Sequence, residues 1–327
     1  MSMTSDFDPQ ATYEPEPGTA AALWHHWGCG CRLHARRGFG RAVLGAGAAL
    51  TLPAWARDGV QVDERSTLAK LVPADQIESA AAKQYQQMLQ QAAAQKALAP
   101  PNHPQVVRLN AIAQRLIPFS SSPNLRSTPR AANWKWEVNL IGSKQVNAFC
   151  MPGGKIAFYY GILDILQLTD DEVAQVMGHE IAHALREHAR ERMGKSAATR
   201  GVIEIGAALL GLGSGGRYLA DMGNQLLTLK FSRDDESEAD KIGLDLAARA
   251  GYEPQASVHL WEKMAANNKG APPQWLSTHP AGATRIKDLA ANIPAVQGLY
   301  ERADKPKQRY APPKPSEAGT PDTGKEG

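Results

Sequence analysis

Apolar positions along the chain recur with two different periods, and the points where one replaces the other outline the architecture. From Asp75 to Ala99 the segment DQIESAAAKQYQQMLQQAAAQKALA is rich in strong helix formers and stops at Pro100-Pro101, which predicts a helix. Val106, Val107, Leu109, Ile112, Ala113, Leu116 and Ile117 then fall at the spacing of a second helix that ends at Pro118. The stretch SSSPNLRSTPRAAN predicts a loop by its Ser, Pro and Asn content. Beyond it the period shortens to two. Trp134, Trp136, Val138 and Leu140 alternate with Lys135, Glu137 and Asn139, the pattern of a half-buried strand. VNAFCM and KIAFYY flank Pro152-Gly153-Gly154 and predict a hairpin or two short strands joined by a tight turn.

Helical spacing returns in TDDEVAQVMGHEIAHALREHARERMG, where Thr169 and Glu172 make a capping box, Asp170 and Asp171 suit the helix dipole, and Gly194 supplies the stop. FSRDDESEADKIGLDLAARAGY carries another helical pattern. The most apolar stretch, Gly201 to Gly216, is broken by Glu204 and by glycines, and predicts a buried or amphipathic helix running into a flexible loop. No apolar run is long enough to span a bilayer, which takes about 20 residues. Gly211, Gly213 and Gly216 satisfy GxGxxG but lack the strand before and the helix after that a dinucleotide site requires. Residues 303–327 have little to bury and predict a disordered Pro/Lys-rich tail. The sum is an α+β domain, predominantly helical, with a small β-sheet beside one long polar helix.

Composition changes this picture only slightly. A chain of 327 residues with 43% hydrophobic and 21% charged residues is globular, and a net charge of +3 is too small to suggest a nucleic-acid surface. The N-terminal region adds more. Arg36-Arg37 precede Phe39 and Arg41, a short apolar run follows from Ala42 to Leu52, and Ala54-Trp55-Ala56 is a small-x-small cleavage signal. Residues 1–56 therefore read as a secretory signal of the twin-arginine kind, cut after Ala56, with export to the periplasm. A mature Ala/Gly-rich helix flanked by arginines is the plainer alternative. Cleavage would leave one domain over 57–302, with its core at about 75–295, and would remove Cys29 and Cys31. Cys29 and Cys31, with His25, His26 and His34, are a weak metal pattern, since no second cysteine pair accompanies them. Cys150 is then alone, so no internal disulfide supports the fold.

The chemistry concentrates in HEIAH. On a helix, His179 and His183 lie about 40° apart around the axis and about 6 Å along it, so both imidazoles can meet one tetrahedral Zn²⁺. Glu180 sits about 100° round from His179, placed to take a proton from a water the metal activates rather than to ligate. His188 would stand about 180° from His179 on the same helix, which assigns it to a solvated or packing face with Arg186, Glu187, Arg190 and Glu191. Glu236 and Asp240, four apart on the second helical pattern, offer one further ligand and one group to orient a ligand histidine. An acidic exposed face would account for Asp234, Asp235 and Glu238 but less well for a pair followed by Ile242, Leu244 and Leu246.

HEIAH, SRDDESEAD and STHP, with NAFCMPGG upstream, stand in an order that resembles the gluzincin metallopeptidases of the HtpX and CaaX endopeptidase family, of the type of the bacterial periplasmic proteases LoiP and BepA. The resemblance covers roughly residues 75–295. It implies a zincin-like fold, one Zn²⁺ per chain on His179, His183 and Glu236, Glu180 as general base, and Asp240 behind a ligand histidine. It also implies Asn147 and Ala148 on the strand that aligns substrate, and His279 near the zinc. The implied activity is hydrolysis of internal peptide bonds in unfolded or misassembled envelope proteins, without nucleic acid as a partner. Absence of spanning helices counts against prenylated substrates, and absence of a lipobox cysteine against lipid anchoring; a peripheral association with outer-membrane assembly machinery stays open. His279 would either stabilise the oxyanion or, by closing the zinc site, leave a latent chaperone-like or binding module. A second rival takes Cys150 as the third ligand in a Cys-His-His site.

Overall fold

The computed structural model describes residues 59–200, 222–223, 225–267, 274–279 and 284–315. All lie in one compact unit, Asp58–Gly327. The proposed signal segment, the Cys29/Cys31 pair and the GxGxxG run therefore lie outside the described residues.

Helix α1, Ala74–Ala94, buries Ile77, Ala80, Ala81, Tyr85, Leu89 and Ala92 along one stripe. It ends before the predicted stop because Lys96 takes a left-handed conformation (φ 56°), ahead of the proline pair. Helix α2, Pro104–Leu116, starts on a His103 cap whose Nδ1 accepts from the Gln105 amide at 3.2 Å. Its buried face is the predicted one except for Val107, which is 44% exposed. The predicted loop follows, wound into short 3₁₀ turns at Ile117–Ser121, Pro123–Leu125 and Pro129–Asn133.

Strand β1 spans Glu137–Ile141, so Trp134 and Trp136 precede the strand instead of opening it. Strands β2 (Ala148–Met151) and β3 (Lys155–Tyr159) form the predicted hairpin, and β1 adds parallel to β3 in the order β1-β3-β2. The turn needs Gly153 and Gly154 at φ 85° and 75°. A Cβ on Gly154 would also fall 2.8 Å from the Trp136 ring. Strand β2 is left as an edge, and this edge faces the site described below.

After helix α3 (Tyr160–Leu166) the chain enters helix α4, Asp170–Leu185, through the predicted capping box of Thr169 and Glu172. Nearly every residue of α4 is buried, charged ones included. The structure corrects the expectation of one helix running to Gly194. Glu187 adopts φ 59°, and a separate helix α5 begins at His188 and runs to Arg200. Helix α6, Arg233–Arg249, is capped reciprocally by Ser232 and Asp235 and packs across α4. Helices α7 (Ala256–Ala266), α8 (Gln274–Thr278) and α9 (Arg285–Arg302) complete the helical layer. The result is an α+β domain in which helices predominate around a three-stranded sheet. Among the described residues no helix is long and apolar enough to cross a membrane.

Residues 303–315, expected to open a disordered tail, have no regular secondary structure but lie against the domain. The Tyr310 amide donates to Asp170 Oδ2 at 2.8 Å, Gln105 Nε2 to the Ala311 carbonyl at 3.2 Å, and Gln167 Nε2 to the Pro313 carbonyl at 3.1 Å. Main-chain groups, to which composition is blind, make these contacts. Residues 316–327 lie outside the described residues.

Candidate metal centre

Two helices meet here because both carry a glycine at the crossing. A Cβ on Gly178 of α4 would lie 2.8 Å from the Gly243 carbonyl oxygen, and one on Gly243 of α6 would lie 2.7 Å from the His179 amide nitrogen. With no side chains between them the backbones approach closely, and the carboxylates of α6 reach the imidazoles of α4. A third element, α8, is tied by main-chain bonds to the segments that lead into β2 and α6. Trp275 N–H donates to the Val146 carbonyl at 3.1 Å, and Phe231 N–H to the Thr278 carbonyl at 3.2 Å. Trp275 and His279 are thereby held over the α4–α6 crossing.

His179, His183, Glu236 and His279, all buried, each offer one donor atom, and these atoms lie within 4.8 Å of one another. The two Nε2 atoms of His179 and His183 are 3.1 Å apart; His179 Nε2 is 3.5 Å from Glu236 Oε2 and His183 Nε2 is 3.6 Å from Glu236 Oε1. Ligands about 2.0–2.1 Å from a tetrahedral Zn²⁺ stand roughly 3.3–3.4 Å from each other, so the donor set fits such an ion. His279 Nδ1 lies 2.9 Å from Glu236 Oε1 and 3.4 Å from His179 Nε2, in the same spacing. Cys150 does not belong to this donor cluster; its Sγ contacts the Met151 carbonyl at 3.7 Å in the wall of the adjoining cavity.

Charge around the donors is strongly organised. His179 Nδ1 is 3.0 Å from Asp240 Oδ1, and Arg285 joins the two carboxylates, donating to both oxygens of Asp240 (2.6 and 2.7 Å) and standing 2.7 Å from Glu236 Oε2. Burial works against a charge on His179, but Asp240 and Glu236 outweigh it and lift its pKa to about 9. His183 goes the other way: burial, then the neighbouring charge on His179, hold it well below the ordinary histidine value. Burial also opposes ionisation of Glu236 and Asp240. The histidines around Glu236, and Arg285 with His179 beside Asp240, nonetheless keep both carboxyls below their usual range. The Cys150 thiol is pushed well up by burial and then by the charge of Glu180.

Glu180 is 2% exposed and accepts a hydrogen bond from Trp275 Nε1 at 2.7 Å; His279 Nε2 is 3.6 Å from the same oxygen. Asn147 and Ala148 lie in the wall of a cavity of about 260 Å³ that also contains Glu180, His183 and His279. Asn147 Oδ1 accepts from the Ala148 amide at 3.0 Å, and the Asn147 carbonyl accepts from Tyr159 N–H at 3.0 Å, which sets the entry to β2. Of the residues singled out in the sequence, Asn147, Ala148, Cys150, Glu180, His183 and His279 border this cavity, whereas His179, Glu236 and Asp240 do not line it. Sequence reasoning missed Trp275, Arg285 and Phe231, whose ring stacks on His183 at 3.9 Å between centroids. Only Trp275, four residues before His279 on a helical turn, left a usable signal.

His188 is the clearest correction. It is 2% exposed, its Nδ1 lies 2.9 Å from His183 Nδ1, and its Nε2 lies 2.9 Å from Glu238 Oε2. The 180° argument assumed an unbroken helix, and the left-handed turn at Glu187 removes that premise.

Residues 104–293 match Peptidase family M48. The chain is 34% identical over 208 residues to the mitochondrial metalloendopeptidase OMA1 of Schizosaccharomyces pombe, an overlap covering 63% of this chain and 58% of that protein. It is 32% identical over 200 residues to the metalloprotease LoiP of Escherichia coli, covering 61% of this chain and 74% of LoiP. The beta-barrel assembly-enhancing protease of Escherichia coli is 30% identical over 190 residues, covering 55% of this chain and 37% of that protein. The chain thus spans less than two thirds of the length of the OMA1 and barrel-assembly relatives. The family match extends over more than half of the chain and contains all four donors of the cluster together with Glu180, Asp240 and Arg285: the chain belongs to peptidase family M48.

Proposed function

We propose that the chain is a zinc-dependent endopeptidase acting on unfolded or extended polypeptides. The observation that carries this reading is the spacing of His179, His183 and Glu236, which matches the edges of a zinc tetrahedron, beneath a cavity bordered by an edge strand. When bound, Zn²⁺ would polarise a scissile carbonyl and bring the pKa of a water towards about 7. The remaining steps belong to the chain's own groups. Glu180 receives the proton of the attacking water and passes it to the nitrogen of the leaving amine as the peptide C–N bond breaks. Trp275 holds the Glu180 carboxylate by its indole N–H, so one oxygen is fixed while the other is left for the proton. Asp240 Oδ1 stands 3.0 Å from His179 Nδ1, a placement that favours a hydrogen on Nδ1 and a lone pair on Nε2 for the metal. An extended substrate adding beside β2 would gain main-chain hydrogen bonds with little demand on sequence, which suits polypeptides that have lost their fold.

Glu180→Gln and Glu236→Ala test the assignment. The first should retain zinc and abolish casein cleavage, the second should lose both; equal zinc occupancy in the two would remove Glu236 from the ligand set. A second reading has its own support, since His279 already shares the donor spacing and would close the fourth position. His279→Ala separates the two: a rise in kcat identifies a latent enzyme, a fall with unchanged KM identifies an oxyanion donor.

We further place the activity in the periplasm, on envelope proteins, after export through the Arg36-Arg37 signal. One relative is by name a beta-barrel assembly-enhancing protease, which supports a role near outer-membrane assembly. Mass spectrometry of the exported chain should find Arg57 first, and an intact N-terminus would refute the cleavage.

A further inference from the structure

Two imidazoles, His183 and His188, present their Nδ1 atoms to each other at 2.9 Å in a buried setting, so one of the two must carry the hydrogen. Which one is decided at the far end of the chain of contacts. His188 Nε2 is 2.9 Å from Glu238 Oε2, and that carboxylate is clamped by Arg186, whose Nε donates to Oε2 at 2.8 Å and Nη2 to Oε1 at 3.0 Å. Arg186 is itself fixed by the carbonyls of Leu125, Arg126 and Asp63. An ionised carboxylate only accepts, so His188 Nε2 is the donor and the Nδ1 of its neutral ring keeps a lone pair. His183 Nδ1 must then donate, which leaves the lone pair of His183 Nε2 facing His179 and Glu236. With the opposite tautomer a hydrogen would project into the donor cluster.

Resting on the metal centre proposed above, we infer that Glu238 and His188 are positioning residues for the metal, a carboxylate–imidazole–imidazole relay that fixes the tautomer and ring orientation of His183. Asp240 Oδ1 lies 3.0 Å from His179 Nδ1, so each histidine of HEIAH has a carboxylate of α6 behind it, one adjacent and one reached through a second imidazole. The arrangement needs the turn at Glu187. On an unbroken α4, His188 would point away from His183, whereas the turn brings it back beneath the ligand. Loss of such an outer partner typically weakens metal binding by about 10–100-fold.

Two conservative variants of the full chain test the relay without emptying the position. In His188→Asn the side-chain oxygen takes the place of Nδ1 and still accepts from His183. In His188→Gln the amide reaches Glu238 but offers His183 nothing. Zinc affinity is read by competition with a chromophoric chelator, with thermal unfolding of the metal-free proteins to confirm that both are folded. The relay predicts that His188→Asn stays close to the unsubstituted chain while His188→Gln loses about 10–100-fold in affinity. The visible bands of the cobalt-loaded protein should shift in His188→Gln only. Equal affinities in the two variants, or the reverse order, overturn the relay while leaving the metal centre standing. An unsubstituted chain that binds no zinc overturns both.

Discussion

Glu180, the proposed general base, illustrates how little of a group's setting lies in its own motif. Its carboxylate is buried, and the nearest donor is Trp275, some 95 positions along the chain. Trp275→Phe keeps an aromatic ring in place and removes the N–H along with the five-membered ring that carries it. Loss of a hydrogen bond to a charged group is about 1.5–3 kcal/mol, so kcat should fall roughly tenfold or more with zinc retained and KM little changed. Unchanged kcat would reduce Trp275 to packing. Glu238 offers a pH signature. Burial opposes its charge, but His188 and Arg186 outweigh that and hold its pKa below the ordinary 4.5. A folded value below the unfolded one adds stability that is full above about pH 4.5 and is lost as pH falls through the folded value. The Tm of Glu238→Gln should therefore trail that of the unsubstituted chain at about pH 6 and approach it near pH 3, whereas a constant difference would rule out this ionised contact.

At the scale of elements, the site exists because α4 and α6 cross at two glycines and because α4 ends where it does. Gly243→Ala would set a methyl 2.7 Å from the His179 amide nitrogen, against backbone that has no rotamer with which to yield. Overpacking of this kind costs about 1–3 kcal/mol, and the helices must separate to accommodate it. Lower Tm together with weaker zinc binding is expected, since Glu236 and Asp240 ride on the helix that moves. A variant with lowered Tm and unchanged zinc affinity would show that the crossing supports the fold alone. The break after Leu185 acts in the opposite sense: by interrupting a helix it turns His188 from a distant face into a contact of His183.

Across the whole molecule, the first turn of α4 is a meeting point for distant segments. Asp170 accepts from Arg108 Nε of α2 at 2.6 Å and from the Tyr310 amide at 2.8 Å, while Asp171 pairs with Arg309 at 2.8 Å. Arg108 is fully buried and also donates to the Leu168 carbonyl, which holds this end of α4 to the rest of the domain. Deleting residues 306–327 would remove the strap from Asp170 and Asp171. A hydrogen bond to a charged group outweighs an exposed ion pair, so the loss should be about 1–3 kcal/mol, read as a lower denaturation midpoint. An unaltered midpoint would mean that the segment contributes nothing despite its contacts.

What the amino-acid sequence determined by itself is whatever depends on local spacing. The capping box at Thr169, the hairpin at Pro152-Gly153-Gly154, the mostly helical α+β composition and the facing pair His179 and His183 follow from periods of 3.6 and 2 and from which residues tolerate a turn. Glu236 and Asp240 were legible as a pair at helical spacing, although only the resemblance distinguished the ligand from its neighbour. The tertiary structure alone decided the rest. His188, Glu238, Trp275 and Arg285 reach the site through bonds between residues dozens of positions apart, and the placement of His188 hangs on one left-handed residue, Glu187, that no periodicity announces. The physical reason is that a helix propagates by bonds four residues long, whereas its end is decided by whatever the termini can bond to in space. Here the Arg186 amide still donates to Ala182 while its side chain is fixed by the carbonyls of Leu125, Arg126 and Asp63, and the left-handed Glu187 that follows ends α4.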